Sequence, residues 1–281
     1  MSFINDLFDE NKQEKLCIDL VTEFFDGKYT EQQVEQYLFE QVQNGNTKIR
    51  NGVKKLADEF IDEFGMGQLA NNKETDTKVR KWYESTDFYI FDLLPWNFCG
   101  AFQDKLKYTK SRLEQLGSKT IVDYGGGLGI VTIALAEMNK FDKIYYVDLK
   151  GSVTYGFAEF LIKKYKLEDK ITMMGDEEYF KSDLFTDIVV SNDCFEHIVD
   201  LDYTLDNLVR KTNCILHDST FHTDENTPMH VQTQGVPEFC QGMLNRYFMV
   251  MDGDFRLLNK IDLRYDDKGQ ISLGYKAKGV E

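Results

Sequence analysis

The stretch Ile121-Val-Asp-Tyr-Gly-Gly-Gly-Leu-Gly-Ile-Val-Thr-Ile-Ala-Leu-Ala136 decides the fold of this chain. A β-branched run is followed by a glycine-rich loop and then by an apolar run, the strand–loop–helix order of a nucleotide-binding crevice. The glycines predict a tight turn where a ligand can lie against bare backbone, because a Cβ would occupy the ligand's space. The dinucleotide spacing G-x-G-x-x-G fails, since its last position is Ile130 when counted from Gly125 and Thr132 when counted from Gly127.

Short β-branched runs continue beyond this stretch and alternate with helical segments, which is typical of a parallel sheet with crossover helices. Helices are predicted at about 129–139, 152–166, 201–211 and 237–247. Three further runs near the C-terminus, 248–251, 255–258 and 270–275, predict antiparallel strands. The predicted strands of the parallel part are Thr120–Asp123, Lys143–Asp148, Lys170–Met174, Asp187–Ser191 and Asn213–His217.

The first 116 residues follow a helical pattern instead, and we find no strand pattern among them. Apolar residues recur at helix spacing in three series: Leu16, Leu20 and Phe24; Val34, Leu38 and Val42; and Val53, Leu56, Phe60 and Phe64. Thr30 and Gln33 predict a capping box, further helices are predicted over 75–83 and 102–116, and Gly117 is a stop signal. We therefore predict a helical domain over 1–116 and an α/β domain over 117–281. The aromatic segment 88–98 is either core, the more common fate of such stripes, or the wall of an apolar pocket.

Composition narrows the possible partners. The 281 residues carry 33 Lys+Arg against 48 Asp+Glu, a net charge of −15, which disfavours naked nucleic acid. No run reaches the roughly 20 apolar residues of a membrane-spanning helix, and the acidic N-terminus does not read as a secretory signal. Five scattered cysteines suggest neither a disulfide framework nor a zinc site. We expect a cytoplasmic protein with no membrane partner.

The pattern Asp-x-Gly-x-Gly-x-Gly over 123–129 resembles motif I of class I S-adenosylmethionine-dependent methyltransferases. An acid suits that ligand, which carries an ammonium and a sulfonium cation and no phosphate. Asp148 ends the second strand, 19 residues after Gly129, where the family holds the ribose hydroxyls. Asp176 follows the third strand, where the family usually hydrogen-bonds the adenine amino group. The segment 189–197 is similar to the family's post-strand segment with its Glu-His pair.

The resemblance implies a Rossmann-like α/β fold with a seven-stranded, mostly parallel sheet and an antiparallel C-terminal strand. It implies S-adenosylmethionine as cofactor and methyl transfer to a small-molecule acceptor, on oxygen or nitrogen. The helical extension is similar to that of small-molecule O-methyltransferases, in which such helices cap the acceptor pocket or form a homodimer. The cofactor-binding residues so implied are Asp123, Gly125, Gly127, Gly129, Asp148, Leu149, Asp176, Glu177, Asn192 and Asp193.

Histidines after the fourth strand supply candidates for acid–base chemistry. His197 is the first candidate for a general base, because a neutral imidazole can take a proton from a hydroxyl; Glu196 and His222 complete the catalytic set. The alternative is that His197 caps the loop and orders Glu196. A metal set of His217, His222 and His230 matches no compact ligand motif and is disfavoured.

Two other functions compete with methyl transfer. A non-catalytic scaffold of the same fold is disfavoured by the intact glycine loop and by the acids at 148 and 176, which a decayed site would be free to lose. A nicotinamide-dependent dehydrogenase is disfavoured by the failed dinucleotide spacing. Asp123 and Asp148 also have a structural alternative, since acids at strand ends often cap the next turn.

Overall fold

The structure is a computed structural model that describes residues 2–66, 69–220, 226–231, 248–250 and 270–277. Its N-terminal part is mainly helical. Thr30 and Gln33 form the predicted capping box, and Gly117 ends the last helix in the left-handed region, at φ 64°. The helices are α1 (Phe3–Leu7), α2 (Gln13–Phe24), α3 (Glu31–Phe39), α4 (Asn51–Phe64), α5 (Lys73–Ser85), α6 (Tyr89–Asn97) and α7 (Gly100–Leu116).

A β-hairpin between α3 and α4 corrects the expectation of an all-helical N-terminal part. Strands β1 (Gln41–Asn44) and β2 (Thr47–Arg50) pair antiparallel, with Val42 opposite Ile49. Val42 had been assigned to the helical series of Val34 and Leu38. Helix α3 ends before it because Glu40 adopts an extended conformation.

The second half alternates strands and helices as predicted. The strands are β3 (Thr120–Tyr124), β4 (Lys143–Asp148), β5 (Ile171–Gly175), β6 (Ile188–Asn192), β7 (Cys214–Thr220), β8 (Phe248–Val250) and β9 (Gln270–Ala277). The helices are α8 (Ile130–Met138), α9 (Val153–Lys164), α10 (Asp176–Lys181) and α11 (Leu201–Leu208), with a 3₁₀ turn at Phe195–His197. The predicted helix 237–247 and strand 255–258 lie outside the described residues.

The main sheet has the strand order β5-β4-β3-β6-β7-β9-β8. Strands β3 to β7 pair parallel to one another, whereas β9 pairs antiparallel with both β7 and β8. The order of the parallel strands reverses direction between β3 and β6, so the chain leaves a crevice at their carboxyl ends. The predicted α/β architecture around a mainly parallel sheet is confirmed.

One hydrophobic core joins the N-terminal helices to the sheet. Leu20 and Phe91 from the N-terminal part belong to the same cluster of buried residues as Ile133 on α8 and Phe157 on α9. The ring of Phe24 contacts that of Phe157 edge-on, with centroids 5.1 Å apart. The N-terminal helices are therefore packed firmly against the sheet domain, and the side chains that they contribute to the crevice have fixed positions. No helix in the described ranges is long and apolar enough to cross a membrane.

Candidate functional site

A pocket among the described residues lies at the carboxyl ends of the parallel strands. Asp123 and Tyr124 end β3, Asp148 ends β4, Asp176 follows β5, and Asn192 ends β6, and all five line the pocket. The opposite wall comes from α5 and α6. The crevice predicted from the strand order is thus the site where most of the predicted residues meet.

The glycine loop turns above this pocket with most of its amides engaged. The N–H groups of Gly125 and Gly126 donate to the Val147 carbonyl, at 2.8 and 3.3 Å, and that of Gly129 donates to Gly126. Gly127 N–H donates to Asp148 at 2.6 Å. A phosphate-binding loop presents its N–H groups to the ligand, so these internal bonds argue against a pyrophosphate at this place.

Two of the loop glycines are needed for reasons other than the predicted room for a ligand. A Cβ on Gly125, at φ 69°, would lie 2.1 Å from the Cys194 sulfur. A Cβ on Gly129 would lie 3.0 Å from that of Ala158 on α9. The close approach of neighbouring elements therefore excludes a side chain there. At Gly127 a Cβ would meet only Leu93 at 3.4 Å, on the wall opposite.

Asp148 is held rigidly at the end of β4. One carboxylate oxygen accepts the Gly127 N–H and the other accepts the Leu149 N–H, each at 2.6 Å. Burial raises the pKa of Asp148 to about 6, against these two hydrogen bonds, which lower it. Leu149 lines the pocket beside it. The carboxylate thus both caps the loop, as the structural alternative expects, and faces the pocket.

Asp123 is more deeply buried, with 2% of its surface exposed. Its Oδ2 accepts the Thr132 hydroxyl at 2.5 Å. Burial is the main cause that raises its pKa to about 7, with a further contribution from the charge of Asp148. Its carboxyl group therefore ties the strand to α8 while contributing one face to the pocket.

Asp176 has a partner that the sequence analysis missed. Arg80 on α5 donates to both of its oxygens, at 2.7 and 2.8 Å, and the Glu177 N–H donates to one of them. Glu177 itself is exposed and pairs with Lys181 on the same helix. Of these two predicted residues, only Asp176 lines the pocket.

Asn192 and Asp193 close the pocket at the end of β6. The Asn192 amide nitrogen is buried and has no hydrogen-bond partner in the described structure, so a donor is available on the pocket wall. Asp193 accepts from Trp96 Nε1 at 3.2 Å and from Lys105 Nζ at 2.9 Å. Its backbone lies in the left-handed region, at φ 45°.

His197 is half-buried and belongs to a polar cluster that reaches the same pocket. Its Nδ1 lies 3.2 Å from the Met229 carbonyl and 3.1 Å from the Tyr83 hydroxyl, and its Nε2 lies 3.3 Å from the Tyr89 hydroxyl. Burial lowers the pKa of His197 well below its usual value, helped by the nearby His230. Because a carbonyl only accepts, Nδ1 carries the hydrogen of this neutral ring, which leaves the lone pair on Nε2.

The remaining catalytic candidates are placed differently. Glu196 is fully buried next to His197, and His222 lies outside the described residues. His217 was expected near the exit of its strand, but it lies within β7 and packs against Phe195, with ring centroids 5.1 Å apart. It does not line the pocket, and burial lowers its pKa to about 4.

The aromatic segment 88–98 serves both as core and as pocket wall. Helix α6 buries Phe91 and Leu94 in the main core and turns Tyr89, Leu93 and Trp96 to the pocket. From the sequence, core and pocket wall were alternative interpretations of this segment. Both apply, because one face of the helix packs in the core and another faces the pocket. Arg80, Tyr83 and Lys105 carried no comparable signal, because their contacts join residues 88 to 114 positions apart.

Comparison with known proteins finds distant structural similarities. No protein-family model and no curated protein matches the chain. Among solved structures, it is similar to the methyltransferase domain of bacterial CtHen1 (15% identity, 62% of this chain and 98% of that one, TM-score 0.47). It is also similar to an S-adenosylmethionine-dependent methyltransferase from Aquifex aeolicus (18%, 53% and 89%, 0.41) and to the pyocyanin biosynthetic protein PhzM (14%, 72% and 61%, 0.48). The chain's own sheet, with five parallel strands and an antiparallel edge, defines a Rossmann-like α/β fold.

Proposed function

We propose that this protein is an S-adenosylmethionine-dependent methyltransferase that acts on the oxygen or nitrogen of a small-molecule acceptor. The observation that carries the proposal is the convergence of the glycine loop, Asp148 and the unpartnered Asn192 amide on one pocket at the strand ends. S-adenosylmethionine supplies a methyl group on a cationic sulfonium: the acceptor forms the new bond to the methyl carbon, the carbon–sulfur electrons stay on sulfur, and a proton leaves the acceptor.

The residues of the pocket suit that cofactor better than a dinucleotide. Asp148 presents a carboxylate to ribose hydroxyls, and Asn192 offers an amide donor to a carboxylate or a ring nitrogen. Asp123 and Asp148 give the pocket an acidic lining, which attracts a cation and repels phosphate. The charges of Asp176 and Asp193 are balanced by Arg80 and Lys105. Together with the engaged loop amides, this supports S-adenosylmethionine over a nicotinamide dinucleotide.

The N-terminal helices supply the acceptor side of the proposed site. Tyr83, Tyr89, Leu93 and Trp96 line the pocket opposite the glycine loop. The three aromatic rings and the Leu93 side chain exclude water and favour a flat or apolar acceptor. Excluding water strengthens the attraction of the aromatic faces for a sulfonium cation. His197, with its lone pair on Nε2, is proposed to assist the departure of the acceptor's proton.

Calorimetric titration with S-adenosylmethionine and its demethylated product tests the cofactor. We expect binding by the wild type and a loss of at least tenfold in affinity for Asp148→Ala. The control is Asp19→Ala, which removes an exposed acid on α2 that pairs with Lys15 and keeps full affinity. Absence of binding by the folded wild type refutes the proposal. Tight binding without turnover over a panel of hydroxyl, amine and acid acceptors favours a non-catalytic binding protein instead.

A further inference from the structure

A second group of ligand atoms lies beside the cofactor pocket. Glu196, His197 and His230 each place one potential metal-ligating atom within 4.8 Å of those of the other two. Around a single ion with bonds of about 2.1 Å, neighbouring ligand atoms lie roughly 3 Å apart. Side-chain adjustments of less than about 2 Å therefore bring all three onto one ion.

We propose that Glu196, His197 and His230 bind a divalent transition-metal ion at the acceptor end of the pocket. Two imidazoles and one carboxylate form a donor set suited to ions such as Mn²⁺, Fe²⁺, Co²⁺ and Zn²⁺, and three protein ligands leave positions open for other groups. This set replaces the disfavoured one of His217, His222 and His230, since His217 lies within β7 against Phe195.

The hydrogen bonds of His197 favour the tautomer with the hydrogen on Nδ1, which leaves Nε2 free of a hydrogen for a metal ion. Its Nδ1–H donates to the Met229 carbonyl, at 3.2 Å, in the way that metal-ligating histidines commonly donate their second nitrogen to a backbone carbonyl. The Nε2 lone pair remains available as a ligand once the Tyr89 hydroxyl, 3.3 Å away, turns aside.

Glu196 and His230 complete the set from two different segments. Glu196 follows β6 in the 3₁₀ turn and is fully buried, and a buried carboxylate is stabilised by a cation placed beside it. The ring of His230 lies 4.7 Å from that of His197, at an interplanar angle of 86°. An ion here would tie the segment 226–231 to the end of β6.

The location gives the ion a role in the proposed reaction. His197 lines the pocket together with Tyr83 and Tyr89, so an ion bound to His197 would lie next to the proposed acceptor side. An ion there would bind an acceptor's oxygen atoms, orient them and make a hydroxyl easier to deprotonate. With the ion bound, this effect takes the place of the His197 lone pair, which the ion occupies, in assisting the departure of the acceptor's proton. This role rests on the proposed function, whereas metal binding itself does not. The substrate class favoured is a small molecule with two adjacent oxygen donors.

Titration of the chelator-treated full-length protein with Co²⁺, followed by visible absorption and calorimetry, tests the site. We expect one equivalent of Co²⁺ to bind, and His230→Asn and Glu196→Gln each to weaken it at least tenfold. Each variant has a matched control that keeps full affinity. These are His217→Asn for the histidine and Glu177→Gln, at an exposed acid outside the pocket, for the glutamate. Circular dichroism establishes that each protein is folded.

Two results overturn the inference: no Co²⁺ binding by the folded wild type, or undiminished binding by folded His230→Asn or Glu196→Gln. Titration of the same samples with S-adenosylmethionine separates this failure from that of the proposed function. Cofactor binding without Co²⁺ binding removes only the metal site. Co²⁺ binding without cofactor binding leaves the metal site and removes the methyltransferase proposal.

Discussion

At the scale of single residues, Asp123 illustrates how a site residue can act against stability. Its carboxyl group is almost fully buried and has one hydroxyl donor, Thr132. Its pKa of about 7 in the folded protein lies well above the value of about 3.9 in an unfolded chain. The folded state therefore binds a proton that the unfolded state has already lost, and raising the pH removes the stability that this proton confers.

We therefore predict that part of the pH dependence of the free energy of unfolding comes from Asp123 and is absent in Asp123→Asn. Stability should fall from about pH 4 upwards and level off above pH 7, with a loss of about 1 kcal/mol between pH 6 and pH 8 from this group. The asparagine variant keeps an oxygen for Thr132 and does not titrate. Urea unfolding gives the free energy of unfolding of both proteins at pH 6 and pH 8. The change between the two pH values is compared between wild type and Asp123→Asn, so that contributions common to both proteins cancel. Equal pH dependence in the two proteins would contradict the assigned pKa.

At the scale of elements, the ion pair between Arg80 and Asp176 ties α5 to α10. The two terminal guanidinium nitrogens of Arg80 donate to the Asp176 carboxylate. The Asp176 side chain is 11% exposed and that of Arg80 is 31% exposed. Removing one partner leaves the other partly buried without its counter-charge, which costs more than removing both. The pair thus sets the distance between the N-terminal wall of the pocket and the carboxyl end of β5.

A double-mutant cycle measures this tie. We expect Arg80→Gln to destabilise the protein by about 1–3 kcal/mol, and Asp176→Asn in that background to recover part of the loss, because the pair is only partly buried. Lys78→Gln on the same helix breaks an exposed ion pair with Glu74. It should lower the free energy of unfolding by no more than a few tenths of a kcal/mol. The free energies of unfolding come from urea titrations of each variant. Additive effects at 80 and 176 would mean that the pair does not couple the two helices.

The elements also show where sequence patterns suffice. The five parallel strands and the helices α2, α4 and α7 follow from β-branched runs and apolar spacing, because each buries a regular face. The β1–β2 hairpin was not predicted, because Val42 lies four residues after Leu38 and so continues the helical spacing into a strand. Helix α10, with six residues, is too short for a pattern.

The same distinction separates the site residues that could be predicted from the sequence from those that could not. Asp148 and Asp176 were predictable because Asp148 ends one strand and Asp176 directly follows another, in a fold that the glycine loop had already indicated. Arg80 and Tyr83 were not, because distant packing brings α5 to the pocket and leaves no local pattern in the sequence. The same holds for His230, whose place beside His197 depends on the course of the chain after β7.

At the scale of the whole molecule, the shared core bears on the predicted boundary at Gly117. Phe3 packs on Tyr165 with ring centroids 4.5 Å apart, and the Phe3 N–H donates to Glu137 at 2.7 Å. Phe24 covers Phe157 on the outer face of α9. Burying each large apolar side chain contributes roughly 1.5–3 kcal/mol, so losing the N-terminal cover removes an amount comparable to a domain's whole stability of about 5–15 kcal/mol.

We therefore predict that residues 117–281 alone do not fold cooperatively, while the full chain unfolds in one transition. Thermal unfolding followed by circular dichroism, with a dye that binds exposed apolar surface, distinguishes the two. Phe157→Ala in the full chain supplies a second measure that does not depend on truncation, and we expect it to cost about 3–5 kcal/mol. Phe185→Ala, at a residue that is 54% exposed, serves as its control and should cost little. A truncated protein with a sharp transition near that of the full chain would instead make the α/β part an independent domain, with the N-terminal helices as a removable cover.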